Sequence, residues 1–60
     1  MTIQERFKQF VAGLISEKEL ESFIDAENMS SDVNTYQLQN NVYGVILIRN
    51  GRTLLTRDDL

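Results

Sequence analysis

Apolar residues recur at helical spacing in the first half of the chain and at strand spacing in the second. Ile3, Phe7, Phe10, Val11 and Leu14 repeat every three to four positions, which is the pattern of a helix with one buried stripe. Thr2, followed three places later by Glu5, has the spacing of a capping box, so a helix is predicted over about residues 3–12. Gly13 is the natural stop, because glycine takes the left-handed conformation that closes a helix at little cost. A second helix starts at once. Ser16 and Glu19 repeat the capping-box spacing, and Ile15 with Leu20 stand where a hydrophobic staple fixes the entry angle. Leu20, Phe23 and Ile24 form the stripe of this helix, predicted over about residues 17–27 with an end near Asn28. So short a connection implies a helical hairpin or a steep crossing. Ser30-Ser31-Asp32-Val33-Asn34 reads as a loop.

From Thr35 onward the period changes to two, and strands are predicted over about residues 35–39, 42–49 and 52–56. Asn50-Gly51 between apolar flanks is a strong hairpin signal, since both central residues of a type I′ turn need positive φ. Asn40-Asn41 gives a weaker version of the same signal. If both turns hold, Tyr36, Leu38, Tyr43, Val45, Leu47 and Leu54 share the more apolar face of a three-stranded meander. The other face carries Val42, Gly44, Ile46, Ile48 and Leu55, fringed by Thr35, Gln37, Gln39 and Thr53. The predicted fold is therefore α+β: one domain, residues 1–60, with two N-terminal helices packed on one face of a three-stranded antiparallel β-meander.

Size sharpens this picture. A chain of 60 residues buries only about 60% of its unfolded surface, so its core is small and support from outside it is common. There is no cysteine and no histidine, which excludes disulfides and disfavours a structural metal of the usual kind. Self-association is the remaining support. The middle strand is apolar on both faces, and two short helices can cover only one of them. With 42% hydrophobic and 25% charged residues the chain belongs with globular proteins. Its apolar runs are too short for a membrane span, and the N-terminus lacks the basic-then-apolar layout of a signal peptide, so a cytoplasmic protein away from membranes is expected.

Charge is unevenly spread. Between Glu17 and Asp32 stand six acids and one base, Lys18, whereas residues 33–57 hold Arg49, Arg52 and Arg57 and no acid. The net charge of −3 argues against a general nucleic-acid binder, which needs a basic patch for phosphate neutralisation.

Four constellations carry candidate function. Val42, Ile46, Ile48 and Leu55, rimmed by Gln and Thr, have the make-up of an interaction or self-association patch; the plainer explanation is a loop or tail folded over them. Arg49 and Arg52 oppose each other across the Asn50-Gly51 turn, a like-charge pairing that costs roughly a few tenths of a kcal/mol. Together with Arg57 they could contact an anion or an acidic partner, or simply discourage sheet-to-sheet aggregation. Glu17, Glu21 and Asp25, four residues apart, form an acidic ridge that could meet a basic partner; most such rows are solvated helix faces. Paired carboxylates as acid–base catalysts would need an enclosed pocket, which a domain this small rarely builds, and there is no nucleophile motif or phosphate-cradling glycine loop. No enzyme, metal or cofactor is expected.

The stretch Gly13-Leu14-Ile15-Ser16-Glu17-Lys18-Glu19-Leu20-Glu21 resembles the turn of short helical-hairpin oligomerisation modules found at the ends of bacterial proteins. That resemblance spans the inter-helix turn alone, and the strands that follow depart from such modules. The reading reached is a small non-enzymatic protein–protein interaction module that self-associates, with a dimer favoured, and regulates or inhibits a host protein. Tiny, acidic, cysteine-free chains of this sort include phage-encoded regulators, an analogy from size and charge. The alternative is a nucleic-acid-binding regulator that uses the Arg49/Arg52 hairpin tip.

Overall fold

The structure, a computed structural model, describes residues 2–60. Helix α1 spans Ile3–Val11, α2 Glu17–Ser30, and strands β1, β2 and β3 span Tyr36–Asn41, Gly44–Arg49 and Arg52–Leu55. A short 3-10 helix, Arg57–Asp59, follows. The sheet is antiparallel in the order β1-β2-β3, with the helices packed against it. This is the α+β arrangement that the periodicity predicts.

The helix ends follow from local hydrogen bonding. Thr2 Oγ1 accepts from the Glu5 N–H at 3.2 Å. At the other end of α1 the Gly13 N–H donates to the Phe10 carbonyl and the Leu14 N–H to the Gln9 carbonyl, with Gly13 at φ 80°. That pair of bonds is a Schellman motif, which satisfies carbonyls the helix itself cannot. The turn it creates carries Leu14 off the α1 stripe, and Leu14 is exposed where a buried position was expected. Helix α2 opens on a complete capping box: the Glu19 N–H donates to Ser16 Oγ at 3.1 Å and the Ser16 N–H to Glu19 Oε1 at 3.4 Å. It runs to Ser30, past the predicted end, so Asn28 lies inside its last turn.

The core is formed by Ile3 and Phe7 of α1, Leu20 and Ile24 of α2, Tyr36 of β1 and Leu47 of β2. Phe7, Leu20 and Leu47 are fully buried. Phe10, Val11, Ile15, Phe23, Leu38, Val45, Leu54 and Leu55 pack around them half-buried. Arg6 on α1 lies 3.9 Å over the Phe23 ring of α2, a cation–π contact that ties the helices together at the rim.

The second hairpin forms as predicted. Asn50 has φ 53° and Gly51 φ 80°, and Arg49 pairs directly with Arg52. Asn50 also closes the far end of the β1–β2 ladder: its N–H donates to the Thr35 carbonyl at 2.8 Å, and its Oδ1 accepts from the Thr35 N–H at 2.8 Å. Replacing Asn50 with Ala forfeits both the tolerance of positive φ and the Thr35 bond, and should cost about 1–2 kcal/mol in urea unfolding. Asn50→Gly, which keeps the backbone freedom, should cost less than Asn50→Ala.

The first hairpin turns two residues later than expected. Asn41 pairs with Gly44, so the turn is Val42-Tyr43 and not Asn40-Asn41. It is held by the Asn41 side chain, whose Oδ1 accepts from the Tyr43 N–H at 2.8 Å, and by Gly44 at φ 113°. The asparagine side chain here replaces a backbone turn bond. Strand β1 is accordingly longer than predicted and β2 begins at Gly44. Each β1 residue finds its partner four positions further along β2: Leu38 faces Leu47 and not Tyr43. Because side chains alternate with period two, an even displacement leaves the face assignments of β1 and the body of β2 intact. Only Val42 and Tyr43 lose their places on the sheet.

A bulge makes the other correction. Ile48 pairs with Thr53 but Leu47 pairs with Leu55, leaving Leu54 as the extra residue. Leu55 thereby moves from the outer face to the side of Leu47, and both leucines pack against the core. A regular register would have left Leu55 on the uncovered face, so the irregularity lets two adjacent leucines share one core.

Candidate functional site

The outer sheet face is narrower than the sequence suggested. Without Val42 and Leu55 it retains Ile46 and Ile48, both half-buried. Gln39 stands opposite Ile46, and Ile48 is flanked by Gln37 and Thr53, so polar side chains rim both isoleucines. The C-terminal segment supplies a partial cover at one end. The 3-10 helix packs against β2, and its start is fixed by Asp59 Oδ2, which accepts from the Thr56 N–H at 2.8 Å. The aliphatic stem of Arg57 lies so close over Gly44 that a Cβ there would stand 3.0 Å from Arg57 Cδ. Thr56 and Asp59 have the spacing of a helix start, and this was the one signal in the sequence for that segment.

The apolar residues removed from the face are displayed at the hairpin tip. Val42 is 90% exposed and Tyr43 85%. Turns favour Asn, Asp, Gly and Ser, which supply the needed conformations and remain hydrated. Here Asn41 and Gly44 provide the geometry, and the two central positions carry a valine and a tyrosine that fold stability does not require.

The three arginines do not form one site. Arg49 and Arg52 pair beside the Asn50-Gly51 turn, are exposed, and border a shallow concavity together with Asn50, Thr53 and Leu54. Among the described residues no acid neutralises either guanidinium. Arg57 sits over Gly44, at the opposite end of β2, roughly 17 Å away at about 3.4 Å per strand residue.

The acidic ridge is also divided. Glu21 and Asp25 line a groove between α2 and β1, with Ile24, Asn28, Tyr36 and Leu38. Glu17, one turn earlier, is exposed outside that group. Asn28 is the residue that sequence reasoning missed. Its Nδ2 donates to the Tyr36 carbonyl at 2.9 Å, and its Oδ1 accepts from the Tyr36 N–H at 2.7 Å. One amide side chain thus pairs with both backbone groups of an edge-strand residue, and nothing in the local sequence signals it.

Among the described residues no group of three or more His, Cys, Asp or Glu is placed to hold a metal ion, and no helix is long and apolar enough to cross a membrane. Comparison with protein-family models, with curated proteins and with solved structures finds no match.

Proposed function

We propose that the chain is a non-enzymatic protein–protein interaction module which self-associates and acts as a regulator or inhibitor by occupying a surface of another protein. The observation that carries this reading is the Val42-Tyr43 tip: two apolar side chains held almost fully exposed on a turn fixed by Asn41 and Gly44. Tyrosine is enriched at the energetic centres of interfaces, and a rigid tip loses little entropy on docking. Ile46 and Ile48 extend the surface onto the outer face. They are the aliphatic part of the original patch that stays there.

Sedimentation velocity tests the self-associating part. The wild-type chain should show a concentration-dependent shift from monomer to dimer, and Val42→Ser combined with Tyr43→Ser should weaken the association at least about tenfold, equivalent to about 1.4 kcal/mol. Both residues are exposed, so the double variant should unfold at the same urea concentration as wild type. A wild-type chain that stays monomeric at millimolar concentration contradicts self-association.

A second reading rests on the direct Arg49–Arg52 pairing, which leaves two uncompensated guanidinium groups side by side. Here the chain is a nucleic-acid-binding regulator that touches phosphate with its second hairpin. Such binding must weaken steeply with salt, and Arg49→Gln with Arg52→Gln should reduce the slope of log affinity against log salt by about 1.4–1.8, for two phosphates released. The acidic α2 opposes this reading, because it would repel the same polyanion.

A further inference from the structure

The Asn28–Tyr36 bonds fix which backbone groups line the free edge of β1. In an antiparallel ladder the N–H and C=O of one residue point to the same side, and successive residues alternate sides. Both groups of Tyr36 are taken by Asn28, away from β2. The N–H and C=O of Leu38 and Asn40 therefore point outward as well, and among the described residues they have no hydrogen-bond partner. Asn28 acts as a single peptide unit of a missing fourth strand, and it stops after Tyr36. Beside these groups runs the α2–β1 groove of about 420 Å³, whose only charged lining residues are Glu21 and Asp25. The spacing of four puts both carboxylates on the same side of α2.

We infer that this groove binds an extended, basic segment of a partner protein as a fourth strand, paired to Leu38 and Asn40 in continuation of Asn28, with its cationic side chains against Glu21 and Asp25. Strand addition draws affinity from main-chain hydrogen bonds and specificity from the side chains beside the edge. Charge selects the occupant. A second copy presenting its own β1, Tyr36–Asn41, would bring no basic residue and would add a second Glu21 and Asp25 to the same groove. A second copy presenting β3 would bring Arg52, but joining β3 to β1 is head-to-tail and repeats without closing unless the chain forms a ring. The inference is independent of the hairpin tip and the outer face, so either can fail alone.

The test uses the whole chain, isotope-labelled, titrated at low salt with a blocked octapeptide of alternating lysine and valine, followed by amide chemical shifts and hydrogen exchange. Saturable shifts should centre on Leu38 and Asn40, whose amides should exchange at least about tenfold more slowly at saturation. An octapeptide of alternating glutamate and valine should bind at least about tenfold more weakly. Glu21→Lys with Asp25→Lys, on an exposed helix surface, should abolish the preference for the lysine peptide. Leu38→Pro removes an outward N–H without touching the β1–β2 ladder and should abolish binding; if that variant does not fold, the charge-reversed pair carries the test. Unchanged exchange at Leu38 and Asn40 with both peptides would overturn the inference, as would equal binding of the two peptides. Slowed exchange that grows with protein concentration in the absence of peptide would overturn it too, because it would assign the edge to a second copy.

Discussion

Phe7→Ala should lower the unfolding free energy by about 3–5 kcal/mol, the range for removing a buried aromatic ring from a close-packed core. Phe7 is fully buried and sits in the cluster that joins both helices to Tyr36 and Leu47. A chain of this length has a total stability of only about 3–9 kcal/mol, at roughly 0.05–0.15 kcal/mol per residue. The variant should therefore be partly unfolded at 25 °C, with loss of helical circular dichroism. Phe10 is the internal control: its ring centroid lies 6.3 Å from that of Phe7, but it is only half-buried. Phe10→Ala should cost about 1–2 kcal/mol, in proportion to the apolar area it removes from water. Equal effects at the two positions would mean that α1 does not meet the sheet through Phe7.

Asn28→Ala should be the most damaging change of a polar residue, at about 2 kcal/mol. It removes two hydrogen bonds and leaves the N–H and C=O of Tyr36 in a partly buried place where water pairs with them imperfectly. At about 4–8 °C per kcal/mol for a domain of this size, the thermal midpoint should fall by roughly 10 °C. Asn28→Asp separates the two bonds, since a carboxylate still accepts from the Tyr36 N–H but cannot donate to its carbonyl. It should lie between wild type and Asn28→Ala in urea unfolding near neutral pH. An effect of Asn28→Ala within 0.5 kcal/mol of zero, roughly that of an ordinary surface substitution, would show that the side chain adds nothing to the edge.

Those residues also mark how much of the molecule was legible in its sequence. Signals confined to a few neighbouring residues were read correctly: Gly13 as a helix stop, Ser16 with Glu19 as a restart, and Asn50-Gly51 as a turn. Each depends on backbone conformation or on bonds across three or four positions. The first hairpin misled because Val42 and Tyr43 have strand propensity, while the turn is dictated by their neighbours Asn41 and Gly44. Propensity describes fit to a pleated surface and yields to such local bonding. The faces of the sheet survived that displacement because it was even. The bulge was not legible: Leu54 and Leu55 are identical, and only the three-dimensional core decides that both turn towards it. Asn28 lay further out of reach, because its partner is a backbone eight residues away and any polar residue would fit the last turn of a helix.

The candidate surfaces changed in the same way. The expected patch of Val42, Ile46, Ile48 and Leu55 divided into a displayed tip, a narrow strip of two isoleucines and a core leucine, while Arg57 parted from Arg49 and Arg52. The acidic ridge kept Glu21 and Asp25 together but gained a neighbour, the free β1 edge, that no charge pattern could reveal.

The most direct measurement of the proposed role is a series of methyl and amide spectra of the labelled chain at rising protein concentration. The account predicts shifts that grow with concentration and concentrate at Val42, Tyr43, Ile46 and Ile48, leaving the α2–β1 groove unchanged. Spectra that do not change up to millimolar concentration, or shifts that map onto other surfaces, would contradict it.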